Sequence, residues 1–216
     1  MERHMIRFNC RIAVALIVAL VLFAALPSTV AQARSRAEWE TGAVVRAEAK
    51  EWRDMRDWCR QWTEDDPEHA GAWVFLGFAQ GRLKRYSEAI EAYHRAVSIA
   101  PDYAEAWYNL GTTYYYLNRN REAVDAYRRL LRIEPDRAGV WFYLGVSYGK
   151  LNRYDDEIEA YRQAVRIAPE YVEAWFNLGI AYHLVGNRSA ALDVVRELHR
   201  IDPARATRLS GIVASR

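Results

Sequence analysis

Histidine and cysteine are the usual ligands of zinc in proteins, and the cysteine thiolate is a strong nucleophile. None of the four histidines beyond the amino terminus stands at zinc-ligand spacing from a cysteine or from another histidine: His69, His94, His183 and His199. Cys59 shares a helical stripe with Met55 and Trp62, which predicts a buried, inert thiol. The sequence also has no haem-attachment motif and no phosphate-binding glycine loop. We therefore predict no catalytic residue, no metal site and no cofactor.

The composition is that of a folded protein with balanced charge. Of 216 residues, 51% are hydrophobic and 27% are charged, which is too apolar for a disordered chain. Thirty basic residues stand against 28 acidic ones, whereas a general nucleic-acid binder carries an excess of positive charge. The balance disfavours nucleic acid as a partner.

The first 33 residues have the three parts of a secretory signal. Three arginines between positions 3 and 11 precede an apolar run, Ile12 to Leu26, and the small residues of an Ala31-Gln32-Ala33 cleavage site follow. The run is short for a membrane helix, which needs about 20 apolar residues. We therefore predict a signal peptide over residues 1–33. The arginine-rich composition favours a bacterium, and hence export to the periplasm; the alternative is an uncleaved anchor in the inner membrane.

Cleavage of that signal would change the charge and the cysteine count. The chain after Ala33 has 27 basic and 27 acidic residues and a single cysteine, Cys59. One cysteine cannot form an internal disulfide, so we expect packing alone to hold the exported chain together.

Tryptophan and proline recur together at an interval of 34 residues. The tryptophans are Trp39, Trp73, Trp107, Trp141 and Trp175, and the prolines are Pro67, Pro101, Pro135, Pro169 and Pro203. Two residue types that keep one phase over most of a chain indicate a structural unit repeated in tandem. Such units stack on their neighbours instead of building a single globular core.

Each unit has the pattern of two helices joined by a turn. Trp107, Leu110, Gly111 and Tyr114 have the spacing of one helical stripe, and a second stripe follows the turn. The second good copy opens AEAWYNLGTTYYYLNRNREAVDAY. This pattern resembles the tetratricopeptide repeat (TPR) family, from about Arg36 to Pro203. The resemblance implies an all-α, right-handed solenoid of helix-turn-helix repeats with a short carboxy-terminal capping helix.

The period predicts five repeats and a carboxy-terminal segment. Residues 34–69 form a degenerate first repeat, in which Gly42-Ala43 replaces the Leu-Gly pair of the other copies. Regular repeats 1 to 4 follow at residues 70–103, 104–137, 138–171 and 172–205. Residues 206–216 contain Leu209, Ile212 and Val213, which predict a short helix that covers the last repeat.

The turns inside the repeats carry residues that suit a helix end. Asn118, Asn152 and Gly186 stand where the first helix of a pair must stop. Asparagine and glycine tolerate the left-handed conformation of a helix cap. We expect that conformation at these three positions.

A glycine in the middle of each first helix indicates a close contact between paired helices. These residues are Gly77, Gly111, Gly145 and Gly179. Glycine costs about 1 kcal/mol relative to alanine inside a helix, so its repetition indicates that no Cβ fits. We expect Ala89, Ala123 and Ala191 to face these glycines. In regular repeat 3 the facing residue would be Glu157, whose carboxylate we expect to reach solvent and to widen the helix pair.

The regular repeats are most alike two positions apart. Repeats 1 and 3 share pairs such as Gly81/Gly149, Leu83/Leu151 and Tyr86/Tyr154, and repeats 2 and 4 share pairs such as Glu105/Glu173, Asn109/Asn177 and Asp125/Asp193. This alternation indicates duplication of a two-repeat block, and drift around one consensus is the alternative.

The family resemblance also implies a binding surface, because in TPR proteins the first helix of each pair lines the concave face. Carried over by position, that face and its edge would comprise Val74, Phe78, Arg82, Glu105, Tyr108, Asn109, Thr112, Tyr115, Tyr116, Phe142, Val146, Lys150, Glu173, Phe176, Asn177, Ile180 and His183. Aromatic side chains of this kind anchor protein interfaces. Tyrosine and asparagine at two of these positions are also common in the family for reasons of stability.

These observations predict a non-catalytic adaptor or scaffold of the bacterial cell envelope. The expected ligand is a protein partner, bound through a peptide or a helix in the concave groove. Two alternatives are a self-associating structural component and a membrane-anchored accessory subunit of an envelope assembly or secretion complex. The residues give no support to an enzyme.

Overall fold

The protein is a succession of α-helices. The computed structural model describes residues 34–215, so the predicted signal peptide lies outside the described residues. The helices, in order, are α1 (Arg36–Glu48), α2 (Trp52–Asp65), α3 (Ala70–Arg82), α4 (Tyr86–Ile99), α5 (Ala104–Tyr116), α6 (Asn120–Ile133), α7 (Ala138–Lys150), α8 (Tyr154–Ile167), α9 (Val172–Leu184), α10 (Arg188–Ile201) and α11 (Pro203–Ala214). Residues from Ala37 onwards form one compact unit. The predicted all-α solenoid, including its carboxy-terminal helix, is confirmed.

The helices pack in sequence order, and from α2 onwards each helix packs against the one that follows it. Regular repeats 1 to 4 consist of the pairs α3–α4, α5–α6, α7–α8 and α9–α10. We call the side formed by the first helices (α3, α5, α7 and α9) the inner face. The side formed by the second helices (α4, α6, α8 and α10) is the outer face.

Hydrogen bonds explain why tryptophan and proline keep the same phase. In each regular repeat the indole N–H of the tryptophan donates to the carbonyl oxygen of the proline six residues earlier. The bond from Trp107 to Pro101 measures 2.7 Å, and the bond from Trp175 to Pro169 measures 2.8 Å. Each bond ties the loop before a repeat to the first helix of that repeat.

The mid-helix glycines of regular repeats 1 to 3 meet tyrosine rings, which the sequence did not indicate. A Cβ atom placed on Gly111 would lie 2.7 Å from the ring of Tyr127, and one on Gly77 would lie 2.6 Å from the ring of Tyr93. Gly145 meets Tyr161 in the same way. The tyrosines come four residues after the expected alanines, one turn further along the second helix. The glycines therefore make room for large buried rings.

The two ends of the solenoid replace this contact with other side chains. In α9, Gly179 lies against Leu209 of α11, so the last helix fills the place that a tyrosine fills elsewhere. In α1, Gly42 lies against Trp58 of α2, and the Trp58 indole donates a 3.0 Å hydrogen bond to the carbonyl oxygen of Trp39. Bulky tryptophans hold α1 and α2 further apart than the helices of a regular repeat.

The turn inside each repeat has one residue with positive φ, always at the same position of the period. Asn118, Asn152 and Gly186 have φ values of 59°, 57° and 76°, as the sequence predicts. Lys50 and Lys84 occupy the equivalent position with φ values of 59° and 61°, which the sequence did not indicate. The geometry of the turn therefore imposes the left-handed conformation even on lysine, which does not favour it.

None of the helices between residues 34 and 215 combines the length and apolar character needed to cross a membrane.

Candidate functional site

A hollow of about 470 Å³ opens on the inner face between α3 and α5. We call it the inner hollow. Six of the predicted groove residues line it: Phe78, Arg82, Tyr108, Asn109, Thr112 and Tyr116. Because α3 and α5 are the first helices of successive repeats, the solenoid itself brings these residues together.

Aromatic rings form the apolar part of the inner hollow. Tyr116 is 72% exposed and Phe78 is 36% exposed, so both rings offer area to a ligand. The ring of Trp52 packs edge-on against Phe78 at 5.9 Å between centroids. Rigid rings of this kind give a large contact area at a low cost in side-chain entropy.

The polar groups of the hollow leave an amide available. Within the described part of the chain, no group hydrogen-bonds the side chain of Asn109, which therefore has two N–H donors and an oxygen acceptor to offer. The Thr113 hydroxyl instead donates to the Asn109 backbone carbonyl, at 2.7 Å. The Thr112 hydroxyl accepts a long hydrogen bond of 3.5 Å from the Tyr127 hydroxyl. An amide beside exposed rings can pair with the backbone of an extended peptide.

Two cations stand at the end of α3. Arg82 and Lys84 both line the inner hollow and are exposed. The Arg82 guanidinium lies 4.6 Å from the centre of the Trp52 ring, a cation–π contact that holds it in place. The hollow is therefore apolar with a cationic rim.

The inner face of regular repeats 3 and 4 has the same glycine and asparagine at equivalent positions, but other side chains of the protein contact both. A Cβ placed on Gly81, in the inner hollow, would have no described atom within 4 Å. Its equivalent, Gly149, lies against Glu157, whose Oε1 would be 2.7 Å from such a Cβ. Asn177, the equivalent of Asn109, donates to the Tyr161 hydroxyl at 3.5 Å. In repeats 3 and 4 these two residues contact other side chains of the protein, whereas in repeats 1 and 2 they face the inner hollow.

The position of Glu157 contradicts the expectation that its carboxylate reaches solvent. The residue is only 9% exposed, and it turns towards Gly149 and Tyr161. Its Oε2 has no hydrogen-bond partner among the described residues. Burial raises the pKa of this carboxyl to about 7, although a hydrogen bond from Tyr161 opposes the rise.

Helix α11 covers part of the inner face at the carboxy-terminal end. The Arg208 guanidinium lies 5.5 Å from the centre of the Phe176 ring. Arg205 forms a 2.7 Å ion pair with Glu173, which lowers the pKa of that carboxyl. Two of the predicted groove residues are therefore engaged by the capping helix.

The remaining predicted groove residues differ in how accessible they are. Val74 is buried and offers no area to a partner. Tyr115 and Phe142 belong to a run of aromatic contacts along the inner face, with Tyr143 5.7 Å from Tyr115 and 5.5 Å from Phe142. Glu105 and Lys150 are exposed, and Val146, Ile180 and His183 are half-buried.

Residues absent from the predicted groove also line the inner hollow. These are Gly81, Lys84, Tyr86, Tyr93 and Thr113. Gly81 lies among larger side chains in the sequence and has no side chain itself, so an open space at this position could have been predicted. Tyr86 and Tyr93 belong to the second helix of repeat 1. The groove is predicted by carrying over the concave-face positions of the TPR family, and these lie only on first helices. Their contribution follows from how the two helices cross.

The described part of the chain contains neither a reactive cysteine nor a cluster of metal-binding side chains. Cys59 is fully buried, and burial raises the pKa of its thiol to about 12, so it stays protonated at neutral pH. Residues 34–215 contain no group of three or more histidine, cysteine or acidic side chains placed to hold a metal ion.

Solved structures share this fold at low sequence identity. A crystal structure of MamA is 22% identical with a TM-score of 0.70, and the match covers 76% of this chain and 96% of that one. MamA from Desulfovibrio magneticus is 15% identical with a TM-score of 0.70, over 78% of this chain and 95% of that one. YrrB, described as a TPR protein with an unusual peptide-binding site, is 19% identical with a TM-score of 0.69, over 78% of this chain and 88% of that one.

Sequence comparison identifies the family. No curated protein sequence matches the chain. Two tetratricopeptide repeat family models do match it, one over residues 68–136 and the other over residues 108–172 and 159–206. Together with the helix pairs and the 34-residue period, these matches show that the chain belongs to the tetratricopeptide repeat family.

Proposed function

We propose that this protein is a non-catalytic adaptor that holds a segment of a partner protein in the inner hollow. The observation that carries the proposal is the exposure of Phe78 and Tyr116 beside the side chain of Asn109, which no group of residues 34–215 hydrogen-bonds. Solvent-exposed rings around a polar group are the usual composition of an interface centre. Tetratricopeptide repeats form extended binding surfaces in general, and the neighbour YrrB is described as having a peptide-binding site.

The hollow favours an extended peptide over a small molecule. It is open along the inner face, and Asn109 can pair with both the N–H and the C=O groups of a peptide backbone. The exposed rings of Phe78 and Tyr116 can hold apolar side chains of such a segment. Arg82 and Lys84 would favour a carboxylate near one end of the bound segment.

A library of random peptides tests this proposal directly. We would select peptides from the library on the purified protein and measure the affinity of each selected peptide by fluorescence anisotropy. The double variant Asn109→Ala/Tyr116→Ala should weaken binding by about tenfold or more, since both side chains contact the ligand.

Regular repeat 4 provides the matched control for that experiment. The double variant Asn177→Ala/Leu184→Ala changes the same two positions of the period, two repeats later. We expect it to bind the selected peptides as the unmodified protein does. Equal affinity of the two double variants would place the ligand elsewhere and contradict the proposal.

We further propose that the adaptor works in the bacterial periplasm after removal of residues 1–33. The basic, apolar and small-residue parts of that segment support export. Sequencing the amino terminus of the protein recovered from the periplasm should give a start at Arg34. Recovery with residues 1–33 intact in the membrane fraction would support the anchored alternative instead.

A second candidate function is end-to-end self-association. Leu192 is 38% exposed at the carboxy-terminal end, whereas Val124 at the equivalent position of repeat 2 is 3% exposed. Val185 is also exposed, whereas its equivalents Leu117 and Leu151 are half-buried, so the last repeat has apolar surface that is less exposed in the earlier repeats. Sedimentation velocity at several concentrations separates the two functions, because an adaptor of the first kind stays monomeric when alone.

A further inference from the structure

The outer face of α6 carries an unusual group of cations. Arg121, Arg128, Arg129 and Arg132 are all exposed on this helix. None of these four guanidinium groups has a carboxylate of residues 34–215 at ion-pair distance. The arginines are not dispersed over the helix surface, because Arg128, Arg129 and Arg132 line one shallow hollow together.

Three of the equivalent arginines in the following repeats pair with a carboxylate, whereas Arg166, the equivalent of Arg132 in α8, donates to the Gln163 side-chain oxygen. Arg162 of α8 stands one period after Arg128 and pairs with Glu159 at 3.6 Å. Arg196 of α10 stands one period further and pairs with Asp193. Arg200, the equivalent of Arg132 in α10, pairs with Glu197 at 3.7 Å. The excess positive charge is therefore greatest on α6, where four arginines lack a carboxylate of residues 34–215 at ion-pair distance, against one, Arg166, in α8.

An apolar floor adjoins these arginines. A hollow of about 270 Å³ between α6 and α8 has Arg128 and Arg132 at its edge and Leu131, Leu144 and Tyr148 among its walls. Its apolar area could receive one or two aliphatic side chains. Two adjacent hollows of about 330 and 340 Å³ share Arg128, so the surface continues along α6.

The carboxylates near this surface leave the arginines available. Asp156 and Glu159 line the α8 side of the hollow, but Asp156 accepts from Arg153 at 2.8 Å and Glu159 pairs with Arg162 at 3.6 Å. Asp125 lines the two adjacent hollows and is the one further carboxylate among their lining residues. One carboxylate against four arginines leaves a positive surface.

We propose that this surface of α6 is a second docking site, and that it takes an acidic, partly apolar segment of a partner protein. Carboxylates of the segment would bridge Arg128, Arg129 and Arg132, because the planar guanidinium group pairs with a carboxylate through two parallel hydrogen bonds. An aliphatic side chain of the segment would fill the hollow beside Leu131. The site lies on the opposite face from the inner hollow, so the protein would join two partners or two parts of one partner.

The probe for this site is a short fluorescein-labelled peptide of glutamate, alanine and leucine, titrated with the purified chain in a fluorescence anisotropy assay. Binding should weaken as salt is raised. The double variant Arg128→Ala/Arg132→Ala should weaken it by about tenfold or more, because it removes two charge-assisted contacts. The double variant Arg196→Ala/Arg200→Ala removes the same positive charge at the equivalent positions of α10, where both arginines are paired, and should leave affinity within about twofold.

Several results would overturn the proposal. They are an absence of binding, equal affinities for the two double variants, and equal binding of a peptide with lysine in place of glutamate. Tighter binding of an oligothymidine than of the acidic peptide would assign the arginines to nucleic acid instead. Loss of binding in Asn109→Ala/Tyr116→Ala would move the acidic peptide to the inner hollow. Circular dichroism of every variant excludes unfolding as the cause.

Discussion

Regular repeats 1 and 2 leave their inner face open, whereas regular repeats 3 and 4 close theirs with their own side chains. Gly81 borders an empty hollow, but its equivalent Gly149 lies under the carboxyl of Glu157. Asn109 has no side-chain partner among the described residues, but its equivalent Asn177 bonds Tyr161. The two halves share this glycine and this asparagine, so these two residues alone do not make a site.

The difference arises largely on the second helices and at the end of the chain. Repeat 3 has Glu157 where repeat 1 has Ala89, and this longer side chain fills the space over Gly149. Repeat 4 is followed by α11, whose Arg205 and Arg208 engage Glu173 and Phe176. If a two-repeat block was duplicated, these changes would have left one copy open for binding and turned the other to internal packing.

The largest effect should come from a contact that both halves share. In Gly111→Val a branched side chain would enter the space of the Tyr127 ring, so we expect the free energy of unfolding to fall by about 2–3 kcal/mol. Urea denaturation followed by circular dichroism measures this change. Gly145→Val, which meets Tyr161, should cost a similar amount; unchanged stability in both variants would show that the rings do not depend on the glycines.

The buried carboxyl of repeat 3 should make stability depend on pH. The folded protein raises the pKa of Glu157 from its ordinary value of 4.5 to about 7, so folding favours the protonated form. Its contribution is fully present below pH 4.5 and is lost as the pH rises through 7. We expect the free energy of unfolding to fall by about 2 kcal/mol between pH 5 and 8 from this group.

Glu157→Ala gives repeat 3 the residue of repeat 1 and isolates that effect. Urea denaturation at both pH values should show that the variant lacks this loss and is more stable than the unmodified protein at pH 8. Lower stability of the variant at pH 8 would mean that the ionised carboxylate has a stabilising partner, contrary to its buried and unbonded Oε2.

Matched alanine substitutions compare the space over the two equivalent glycines. Gly81→Ala meets open space in the described structure, so it should stabilise α3 by about 1 kcal/mol through helix propensity. Gly149→Ala must displace the Glu157 carboxyl and should gain less. Thermal unfolding of the two variants gives the comparison. A larger gain at Gly149 would contradict the assignment of Gly81 to the open half.

The smallest expected effect concerns the turn of repeat 1. Lys84 has the left-handed conformation that Asn152 has at the equivalent position of repeat 3. Asparagine adopts this conformation at lower cost than lysine, so Lys84→Asn should stabilise the protein by about 0.5–1 kcal/mol. The midpoint of urea denaturation should rise. A fall would indicate that the lysine side chain makes a contact that outweighs the strain in its backbone.

The sequence predicts the parts of this molecule that repeat, because periodicity is visible without coordinates. The helix pairs, the turns at Asn118 and Asn152 and the final helix all follow from spacing and residue type. The ring partners of the glycines do not, because they depend on the angle at which two helices cross. Lys84 shows the same limit, since lysine carries no signal for the positive φ that the turn imposes.

Six predicted groove residues meet at the inner hollow because position within a repeat determines which face a residue occupies. A prediction that carries family positions over to each repeat treats all four regular repeats alike, however. It therefore misses the difference between repeats 1 and 2 and repeats 3 and 4. That difference depends on Glu157 and on α11, whose orientations no periodic pattern specifies.

The most direct test is to locate a bound peptide on the protein. A library-selected peptide carrying a nitroxide label would be added to isotope-labelled protein, and broadening of each backbone amide resonance would be recorded by NMR. We expect the strongest broadening in α3 and α5, around Phe78, Asn109 and Tyr116. Strongest broadening in α7 and α9, or in the second helices of the outer face, would contradict the assignment of the inner hollow as the binding site.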